Sequence, residues 1–466
     1  MNVPLLIVAG YVLVLFAIGY SASRLVKRGN GGFLLAGRKL PAWLVAVTVT
    51  GLAIGGASTI GVAQKAFAGQ GVAAGWYGVA WAVSALAVGL AVSKQYRRLG
   101  VVTVPQMFED FYDAKARVAC VVVQVLVQIV ITSLQYVAGG AILHQLLPDV
   151  FTTPTAGMLF SAAVFIGMTV AGGLWSASLS NVINVILIYV GIALAAVLSV
   201  SAVGGMQSMA AQLPQGKGYL HPIAGFGWTN VCTFVLTMVT CNVAFQATVQ
   251  IAFAARDEKS ARNGFLLAAV LILPVSFLAA LIGVAAKAQF PGISDGTVAL
   301  PKMVGSLDPL VAGVTLAALW AADVSTACGL LLSSSTVVVR DIYARHLRPQ
   351  TSEKRQLLIN RIAVLVIGVV TLGLALQITE ILSALLQGLS LTTGLTVVVL
   401  FTFYAPALCR VSSAVWTIAA GIVVMALWYV FPQIRVVPHV VYLEWIVCLS
   451  VFLVVPCFDA RRITAR

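Results

Sequence analysis

The sequence has 466 residues, of which 61% are hydrophobic and 9% are charged, and its formal net charge is +14. Soluble domains carry about 25% charged residues, so this composition excludes an ordinary soluble protein and indicates a membrane protein. The seven cysteines show no paired spacing, and the sequence contains no nucleophile or metal-ligand motif. We therefore expect no disulfide framework, no enzyme, no catalytic residues and no organic cofactor.

Apolar stretches along the chain predict thirteen transmembrane helices. A helix needs about 20 apolar residues to cross a bilayer, and helices satisfy their own backbone groups in lipid. We therefore predict an all-α integral membrane protein with a single membrane domain over residues 1–466. The predicted spans lie near residues 4–22, 42–66, 72–93, 118–147, 155–174, 179–204, 226–253, 264–286, 308–336, 361–379, 381–406, 411–431 and 439–457.

The distribution of basic residues predicts how these helices are oriented. If the N-terminus lies outside, all but five of the 28 Lys and Arg residues fall in cytoplasmic loops or in a cytoplasmic C-terminal segment. Such an excess in cytoplasmic loops is typical of membrane proteins. The positive charge is thus a topology signal, and we expect membrane lipid around the chain and no nucleic-acid partner. The five exceptions are Lys65, Lys217, Lys287, Lys302 and Arg435.

The second predicted span carries three glycines and four hydroxyl residues between Thr48 and Thr59. Glycine weakens a helix, and a broken membrane helix is tolerated where its freed carbonyl groups line a cavity or bind a ligand. The pattern predicts an interruption between Gly51 and Gly56. A continuous helix with a small-residue packing face is the alternative.

A second polar cluster lies in the ninth predicted span. Ala322, Ser325 and Thr326 are spaced i, i+3 and i+4, which places them on one helical face. Hydroxyl and carbonyl oxygens suit a hard cation such as sodium, but serine and threonine in membrane helices also bond to their own backbone. From these residues alone, both interpretations are open.

Asp323 lies between these residues and is the one acid deep within a predicted span. A charged side chain in the middle of a bilayer is costly and is a functional candidate by default. We therefore expect a hydrogen-bond donor or a cation within about 3 Å of its carboxylate. Three roles stay open: Asp323 strengthens cation binding, carries a proton, or bonds structurally to a neighbouring helix.

Several short motifs follow one another along nearly the whole chain. The most specific is the ninth-span run Ala-Ala-x-x-Ser-Thr, which is followed by Asp341, Ile342 and Tyr343. The other motifs lie at residues 33–38, 98–100, 103–105, 171–174, 249–250 and 254–259. Together with thirteen spans, they resemble the sodium:solute symporter family, which includes bacterial proline, pantothenate, sialic acid and galactose carriers.

This resemblance implies a LeuT-type core, in which two five-helix repeats of opposite orientation hold solute and ion at the bilayer midplane. On this chain the first repeat would cover residues 41–204 and the second residues 226–406. Residues 1–40 and 407–466 would form peripheral helices. The seventh span is expected to be interrupted near residues 239–242, like the second span between Gly51 and Gly56.

The resemblance also implies one sodium site. Its ligands would be the carbonyl oxygens of Gly51, Ile54 and Ala322 and the hydroxyl oxygens of Ser325 and Thr326. We expect these oxygens to converge on one point at about 2.3–2.5 Å. A second sodium site is not expected, because residues typical of it are replaced. Asn181 stands at the position of an aspartate, and Cys328 and Gly329 stand at the positions of hydroxyl residues.

Solute-binding candidates come from less specific family positions. Aromatic-lined cavities with few polar groups hold small solutes, although aromatic stripes are also typical of ordinary packing. Tyr77 stands where galactose carriers have an acid, so a sugar is not favoured. Lys65 could attract an anion or extend to the membrane surface, and an organic acid or amino acid is favoured. The candidates are Ser58, Gln64, Trp76, Tyr77, Met238, Cys241, Asn242 and Gln246.

The resemblance predicts a secondary active transporter that couples inward sodium movement to uptake of a small solute by alternating access. We expect it to act as a monomer in a bacterial inner membrane. One alternative is a proton-coupled carrier or uniporter in which Asp323 titrates, and the intact pair of Ser325 and Thr326 weighs against it. Another is a solute-sensing membrane domain, and the expected end of the chain at Arg466 weighs against that.

Overall fold

The computed structural model describes residues 35–463 together with Gly10, Tyr11, Leu13, Val14 and Ala17. For residues 171–177, 180 and 353 it describes the backbone only. The regular structure of the described residues is helical, apart from two isolated bridges between single residue pairs. The predicted all-α class is therefore confirmed. Apart from those five positions, the predicted first span near residues 4–22 lies outside the described residues, so its path stays a prediction.

The helices follow the predicted spans in chain order, and we number them accordingly. Helix α2 comprises the consecutive turns Ala57–Gly61, Val62–Lys65 and Ala66–Gln70, and helix α3 comprises Trp76–Ala87, Val88–Val92 and Ser93–Leu99. The others are α1 (Ala42–Ala53), α4 (Val104–Phe111), α5 (Ala114–Leu146), α6 (Pro154–Val170), α7 (Asn181–Ala202), α8 (Gly205–Gln212), α9 (Trp228–Ala244), α10 (Gln246–Ala254), α11 (Glu258–Gln289), α12 (Ala299–Gly305), α13 (Pro309–Val337, continued by Val338–Leu347), α14 (Glu353–Ala375), α15 (Ile381–Ser390), α16 (Thr393–Tyr404), α17 (Ser413–Val430) and α18 (Val440–Val454).

Within the described residues, eight helices are long and apolar enough to cross a membrane, or ten if each of two bent helix pairs forms one span. The chain is therefore a multi-pass membrane protein, whereas the exact number of thirteen spans stays a prediction. Helix α13 is central, because the rest of the protein buries 83% of its apolar 18-residue segment. The corresponding value for α14 is 22%.

Helical backbone continues from Pro154 to Ala202, where the sequence predicts two spans. On a straight helix, Ser161 and Gly191 would lie about 45 Å apart. Yet Ser161 accepts a hydrogen bond from Trp320, and Gly191 accepts one from Thr315, so both meet the same part of α13. The chain therefore turns back between α6 and α7.

The predicted interruption of the second span is confirmed. Helix α1 ends at Ala53, Ile54 adopts extended backbone angles (φ −96°, ψ 94°), and the helix resumes at Ala57. The two intervening residues are glycines because the backbone here lies against α5. A Cβ atom on Gly56 would lie 2.3 Å from the Cβ of Ala138, which is closer than atoms can approach.

The seventh span is also interrupted, but the predicted position of the break is wrong. Helices α9 and α10 meet at an angle of 53° at Phe245, whose backbone is extended (φ −73°, ψ 121°), rather than at residues 239–242. No glycine or proline marks Phe245 in the sequence. The break depends on α5, where Gln124 donates a hydrogen bond to the Ala244 carbonyl at 2.6 Å and accepts one from the Gln246 amide at 3.0 Å.

A third bend, which the sequence analysis does not predict, lies in the eleventh span. Helices α15 and α16 meet at 45°. The hydroxyl of Thr392 donates to the Leu389 carbonyl at 2.7 Å, and the hydroxyl of Thr393 donates to the Ser390 carbonyl at 2.6 Å. Such back-bonding by threonine bends helices, and it gives this bend a local cause.

Candidate functional site

Helix α13 lies against the break that ends α1, and a hydroxyl group bridges the two. Thr326 donates a hydrogen bond to the carbonyl of Gly51 at 2.9 Å, although the two residues are 275 positions apart in the sequence. Its neighbour on α13, Ser325, donates to the carbonyl of Ala322, about one turn earlier, also at 2.9 Å. Four of the five predicted sodium ligands are therefore arranged as two oxygen pairs beside the broken helix.

The fifth predicted ligand, Ile54, is the buried residue at which the helical backbone of α1 ends. Its amide still donates to the Thr50 carbonyl at 2.9 Å, but its extended backbone takes its own carbonyl out of the helical pattern. A hydroxyl oxygen keeps acceptor lone pairs while it donates. Ser325 and Thr326 can therefore contact a cation while each donates its hydrogen bond.

Close packing makes glycine necessary at position 51. A Cβ atom on Gly51 would lie 2.4 Å from the side chain of Asn181 on α7. The absence of a side chain lets α1 approach α7 while its carbonyl faces Thr326. Asn181 is the residue that stands in place of the aspartate expected from the family resemblance, and it borders the predicted sodium ligands directly.

The backbone groups freed by the break have partners from two sources. Gln135 on α5 accepts the Gly56 amide at 2.7 Å. Ser58 accepts the Gly55 amide at 3.0 Å and donates to the Gly55 carbonyl at 2.9 Å. Ser58, a predicted solute ligand, therefore stabilises the break itself.

A cavity of about 30 Å³ lies between the breaks of the second and seventh spans. This volume accommodates one or two water molecules, so the site is closed around a space smaller than an organic solute. Four predicted site residues line it: Tyr77, Cys241, Asn242 and Thr326. Trp81 also lines it, and its indole donates to the Tyr77 hydroxyl at 2.9 Å. Gln135 and Phe245 line it as well, although the sequence analysis does not assign them to the site.

The other solute candidates lie away from this cavity. Trp76 donates its indole N–H to the Pro222 carbonyl at 2.8 Å. Met238 is buried, and its carbonyl accepts a hydrogen bond from Asn242 at 3.0 Å. Gln246, just beyond the break of the seventh span, accepts the Val104 amide at 2.7 Å. Trp76 and Gln246 therefore join separate structural elements, and Met238 is not among the residues that line the closed cavity.

Gln64 and Lys65 join the end of the second span to the start of the eleventh. Gln64 donates to the Thr379 carbonyl at 2.9 Å and accepts the Ile381 amide at 3.2 Å. Lys65 pairs with Glu380 at 2.6 Å. The hydrogen bond from Lys65 holds the pKa of the Glu380 carboxyl below its usual range. Lys65 is thus engaged by an acid, which weakens its predicted role in attracting an anionic solute.

In the continuation of α13, the Asp-Ile-Tyr motif takes part in an ion-pair network whose central residues, Arg117 and Asp341, are buried. Asp341 accepts hydrogen bonds from the guanidinium of Arg117 at the start of α5 and from the Thr103 hydroxyl, the latter at 2.9 Å. Glu109 on α4 pairs with Arg117 and with Arg345. The motif therefore ties α13 to the loop helix α4 and to α5.

Asp323 is completely buried within the protein and faces the break at Gly56. Neither carboxylate oxygen has a hydrogen-bond partner among the described residues. The adjacent Gly56 amide donates to Gln135 instead. The nearest donor is therefore the Gly56 amide, which makes its well-aligned hydrogen bond to Gln135 and interacts only more weakly with the Asp323 carboxylate.

Two glutamines of α5 contact the broken spans but were not predicted as site residues. Gln124 and Gln135 lie eleven residues apart, which is three helical turns and therefore one face. Each satisfies the freed backbone groups of one broken span. Uncharged polar residues within an apolar helix often hydrogen-bond to neighbouring helices, and this spacing is the signal that could have identified them.

Comparisons with known proteins agree with this architecture. The profile of the sodium:solute symporter family matches residues 33–421. The chain is 24% identical over 400 residues to the sodium/glucose cotransporter of Vibrio parahaemolyticus, covering 78% of this chain and 73% of the relative. It is 26% identical over 397 residues to the sodium/pantothenate symporter of Escherichia coli (strain K12), covering 78% and 77%. It spans about three fifths of the length of the vertebrate cotransporters that it matches.

Among solved structures, the chain resembles the substrate-bound outward-open state of a Na+-coupled sialic acid symporter, with a TM-score of 0.81 at 19% identity. The likeness covers 99% of this chain and 98% of that chain. It shows a shared fold, and the predicted LeuT-type helical fold is thereby confirmed.

Proposed function

The chain belongs to the sodium:solute symporter family, and on this premise we propose that it couples inward sodium movement to the uptake of a small organic solute by alternating access. Family membership supports sodium-coupled solute transport and excludes an enzyme. The observation that carries the proposed ion site is the Thr326–Gly51 hydrogen bond, which joins α13 to the broken second span. Sodium takes oxygen ligands, and each of the five proposed ligand groups supplies an oxygen.

The ion site comprises the carbonyl groups of Gly51, Ile54 and Ala322 and the hydroxyl groups of Ser325 and Thr326. Their position at the break also explains how transport follows from binding. A cation held by both α1 and α13 favours the state in which these helices lie together, and a ligand shifts an equilibrium by its differential affinity for two states. Loss of the ion would then permit the helices to separate and release the solute.

The solute site is the cavity between the two broken spans, enlarged in a state that admits the solute. Tyr77, Trp81 and Phe245 supply aromatic walls, and Asn242 supplies a polar group. No carboxylate is among the described residues that line it. An organic acid or amino acid is therefore favoured over a sugar, since galactose carriers have an acid at the position of Tyr77.

The proposed repeats are residues 41–204 and 226–406, with peripheral helices on either side. The positions of the two broken helices support this division, because each is the first span of its repeat. The first repeat begins with α1 and α2, and the second begins with α9 and α10. We further propose that the protein acts as a monomer in a bacterial inner membrane, with the N-terminus outside and the C-terminus in the cytoplasm.

The test measures the melting temperature of the purified protein in sodium chloride and in potassium chloride, with L-proline, pantothenate and D-glucose as probes. A ligand that binds only the native state raises stability, so sodium should raise the melting temperature and should strengthen the effect of a true solute. Uptake of that solute into proteoliposomes should then require an inward sodium gradient. Equal uptake with a potassium gradient would refute sodium coupling.

A further inference from the structure

Helices α17 and α18 pack closely on one face and leave a groove between them on the outer face of the protein. The Cys448 thiol lies 3.6 Å from the Thr417 carbonyl, and a Cβ atom on Gly421 would lie 3.4 Å from the same sulfur. Helix α17 comprises 18 residues and is therefore about 27 Å long. The hydrocarbon core of a bilayer is about 30 Å thick, so the groove runs through most of the membrane.

Two cavities of about 770 and 780 Å³ occupy this groove, and both are lined by Trp416 and Val451. On α17 the small residues Ala419 and Ala420 form its floor, whereas Trp416, 60% exposed, stands at its edge. From Trp416 to Leu427 the apolar lining extends for about 16 Å, which is close to the depth of one leaflet, about 15 Å. The dimensions therefore fit an acyl chain.

One end of the groove, which we call the basic end, is lined by Ser412, Asp459 and Arg461. Arg461 donates to the Asp459 carboxylate from Nε at 3.1 Å and from Nη2 at 3.4 Å. Asp459 also accepts the Ser412 hydroxyl at 2.7 Å. The Arg461 side chain is 73% exposed, and a guanidinium has five N–H donors. Arg461 thus keeps donors for a second anion.

Two further arginines leave the basic end with an excess of positive charge. Arg462 is exposed, and its side chain makes no hydrogen bond or ion pair with the residues that the structure describes. Its backbone pairs with that of Arg410, whose Nη1 donates only to the neutral carbonyls of Ala407 and Cys409. Among the described residues that line this end, Asp459 is the one carboxylate. The charge therefore calls for an anionic partner.

The other end of the groove lacks such an excess. Its lining includes Gln433, Ile434 and Val436. The nearby Arg435 does not line the cavity, because it donates to the Trp428 carbonyl at 3.0 Å and lies over the Trp428 ring. An anionic group thus has one preferred end, and in the proposed orientation that end is cytoplasmic. Basic pockets between transmembrane helices on the cytoplasmic side bind anionic lipid headgroups.

We propose that this groove binds an anionic phospholipid of the cytoplasmic leaflet, with an acyl chain along α17 and α18 and its phosphate at Arg461 and Arg462. The choice of leaflet rests on the proposed orientation of the chain. A second copy of the protein fits this face less well. A two-fold contact places the same surface of both copies together, and in one membrane it would bring the two sets of arginines to the same level, where like charges repel.

The test is native mass spectrometry of the purified full-length protein in detergent, with phosphatidylglycerol and phosphatidylcholine that carry the same acyl chains. The wild type should bind its first phosphatidylglycerol at least tenfold more tightly than phosphatidylcholine. Each basic residue near a membrane surface strengthens anionic binding by about fivefold, so Arg461→Gln/Arg462→Gln should lose most of this preference. Arg435→Gln removes an equal charge at the other end and should keep it. Ala420→Trp, which fills the floor, should weaken binding of both lipids.

Equal binding of the two lipids by the wild type would overturn the proposal, as would an unchanged preference in the double variant or unchanged binding in Ala420→Trp. A dimer that Ala420→Trp dissociates would assign the groove to a second copy and would likewise overturn it. If the double variant does not fold, Arg462→Gln alone decides, because its side chain has no partner to lose among the described residues. A loss of preference of about fivefold supports the phosphate site, and no loss refutes it.

Discussion

The contact between Gly51 and Asn181 provides a direct test of how the ion site is assembled. In Gly51→Ala, the new methyl group would lie 2.4 Å from the Asn181 side chain. Overpacking of this kind costs about 1–3 kcal/mol, whereas Gly→Ala within a helix otherwise gains up to about 1 kcal/mol. The substitution should therefore lower stability or leave it unchanged, and it should push α1 away from α7.

The same displacement should weaken sodium binding, because the Gly51 carbonyl is the group that Thr326 contacts at 2.9 Å. We expect a loss of at least tenfold in sodium affinity, measured as the sodium concentration needed to raise the melting temperature. The double variant Gly51→Ala/Asn181→Ser should recover much of both losses, since the shorter serine makes room for the methyl group.

Gly167→Ala is the control, because a Cβ atom at this helical position meets no other atom within 4 Å. It should match or exceed the wild type in stability and leave sodium binding unchanged. If Gly51→Ala resembled Gly167→Ala in both measurements, the close approach of α1 to α7 would not hold in the folded protein. If Asn181→Ser gave no recovery, the clash would not be the cause of the loss.

Three further predictions concern the ion ligand, the helix break and the contact at Lys65. Ser325→Ala should reduce the sodium dependence of uptake more than tenfold at unchanged expression, and unchanged sodium activation would contradict its role. Gln135→Leu should lower stability in thermal unfolding by about 1–3 kcal/mol, because it leaves the buried Gly56 amide without a partner, and unchanged stability would contradict the role of Gln135 at the break. The lowered pKa of Glu380 means that its pair with Lys65 is complete above the ordinary carboxyl pKa of about 4.3 and is lost as the pH falls through the lowered pKa. We expect this pair to help close the cavity that Cys241 lines. Thiol labelling of Cys241 at neutral pH, in a protein without the other cysteines, should therefore be faster in Lys65→Gln than with Lys65 present, and an unchanged rate would argue against this role.

Hydropathy was sufficient to predict a helical membrane protein, because lipid requires every backbone group to be satisfied within the helix. It also predicted two successive spans near residues 155–174 and 179–204. The continuous helical backbone from Pro154 to Ala202 would not by itself reveal that the chain reverses direction there. The glycines between Gly51 and Gly56 predicted a real interruption, since glycine both weakens a helix and permits close approach. The spacing of Ser325 and Thr326 placed them on one face of α13.

Other features depend on contacts between residues far apart in the sequence. Phe245 carries no local signal for a break, and the position of that break is set by Gln124, which binds the freed backbone groups on both sides of it. Gln64 and Gln246 were predicted to bind the solute because they are polar residues near broken spans. Their partners, Ile381 and Val104, belong to other elements and could not be identified from spacing along the chain.

The site itself therefore has a mixed origin. Family motifs and helical periodicity predicted Thr326 and Gly51 as ion ligands, since each is recognisable within its own span. Their 2.9 Å contact arises only when α13 packs into the break beside α1. The surroundings of Asp323 were likewise decided by tertiary structure. Its sequence position indicated a costly buried charge, but only the packing around Gly56 determined that the nearest donor was already engaged by Gln135.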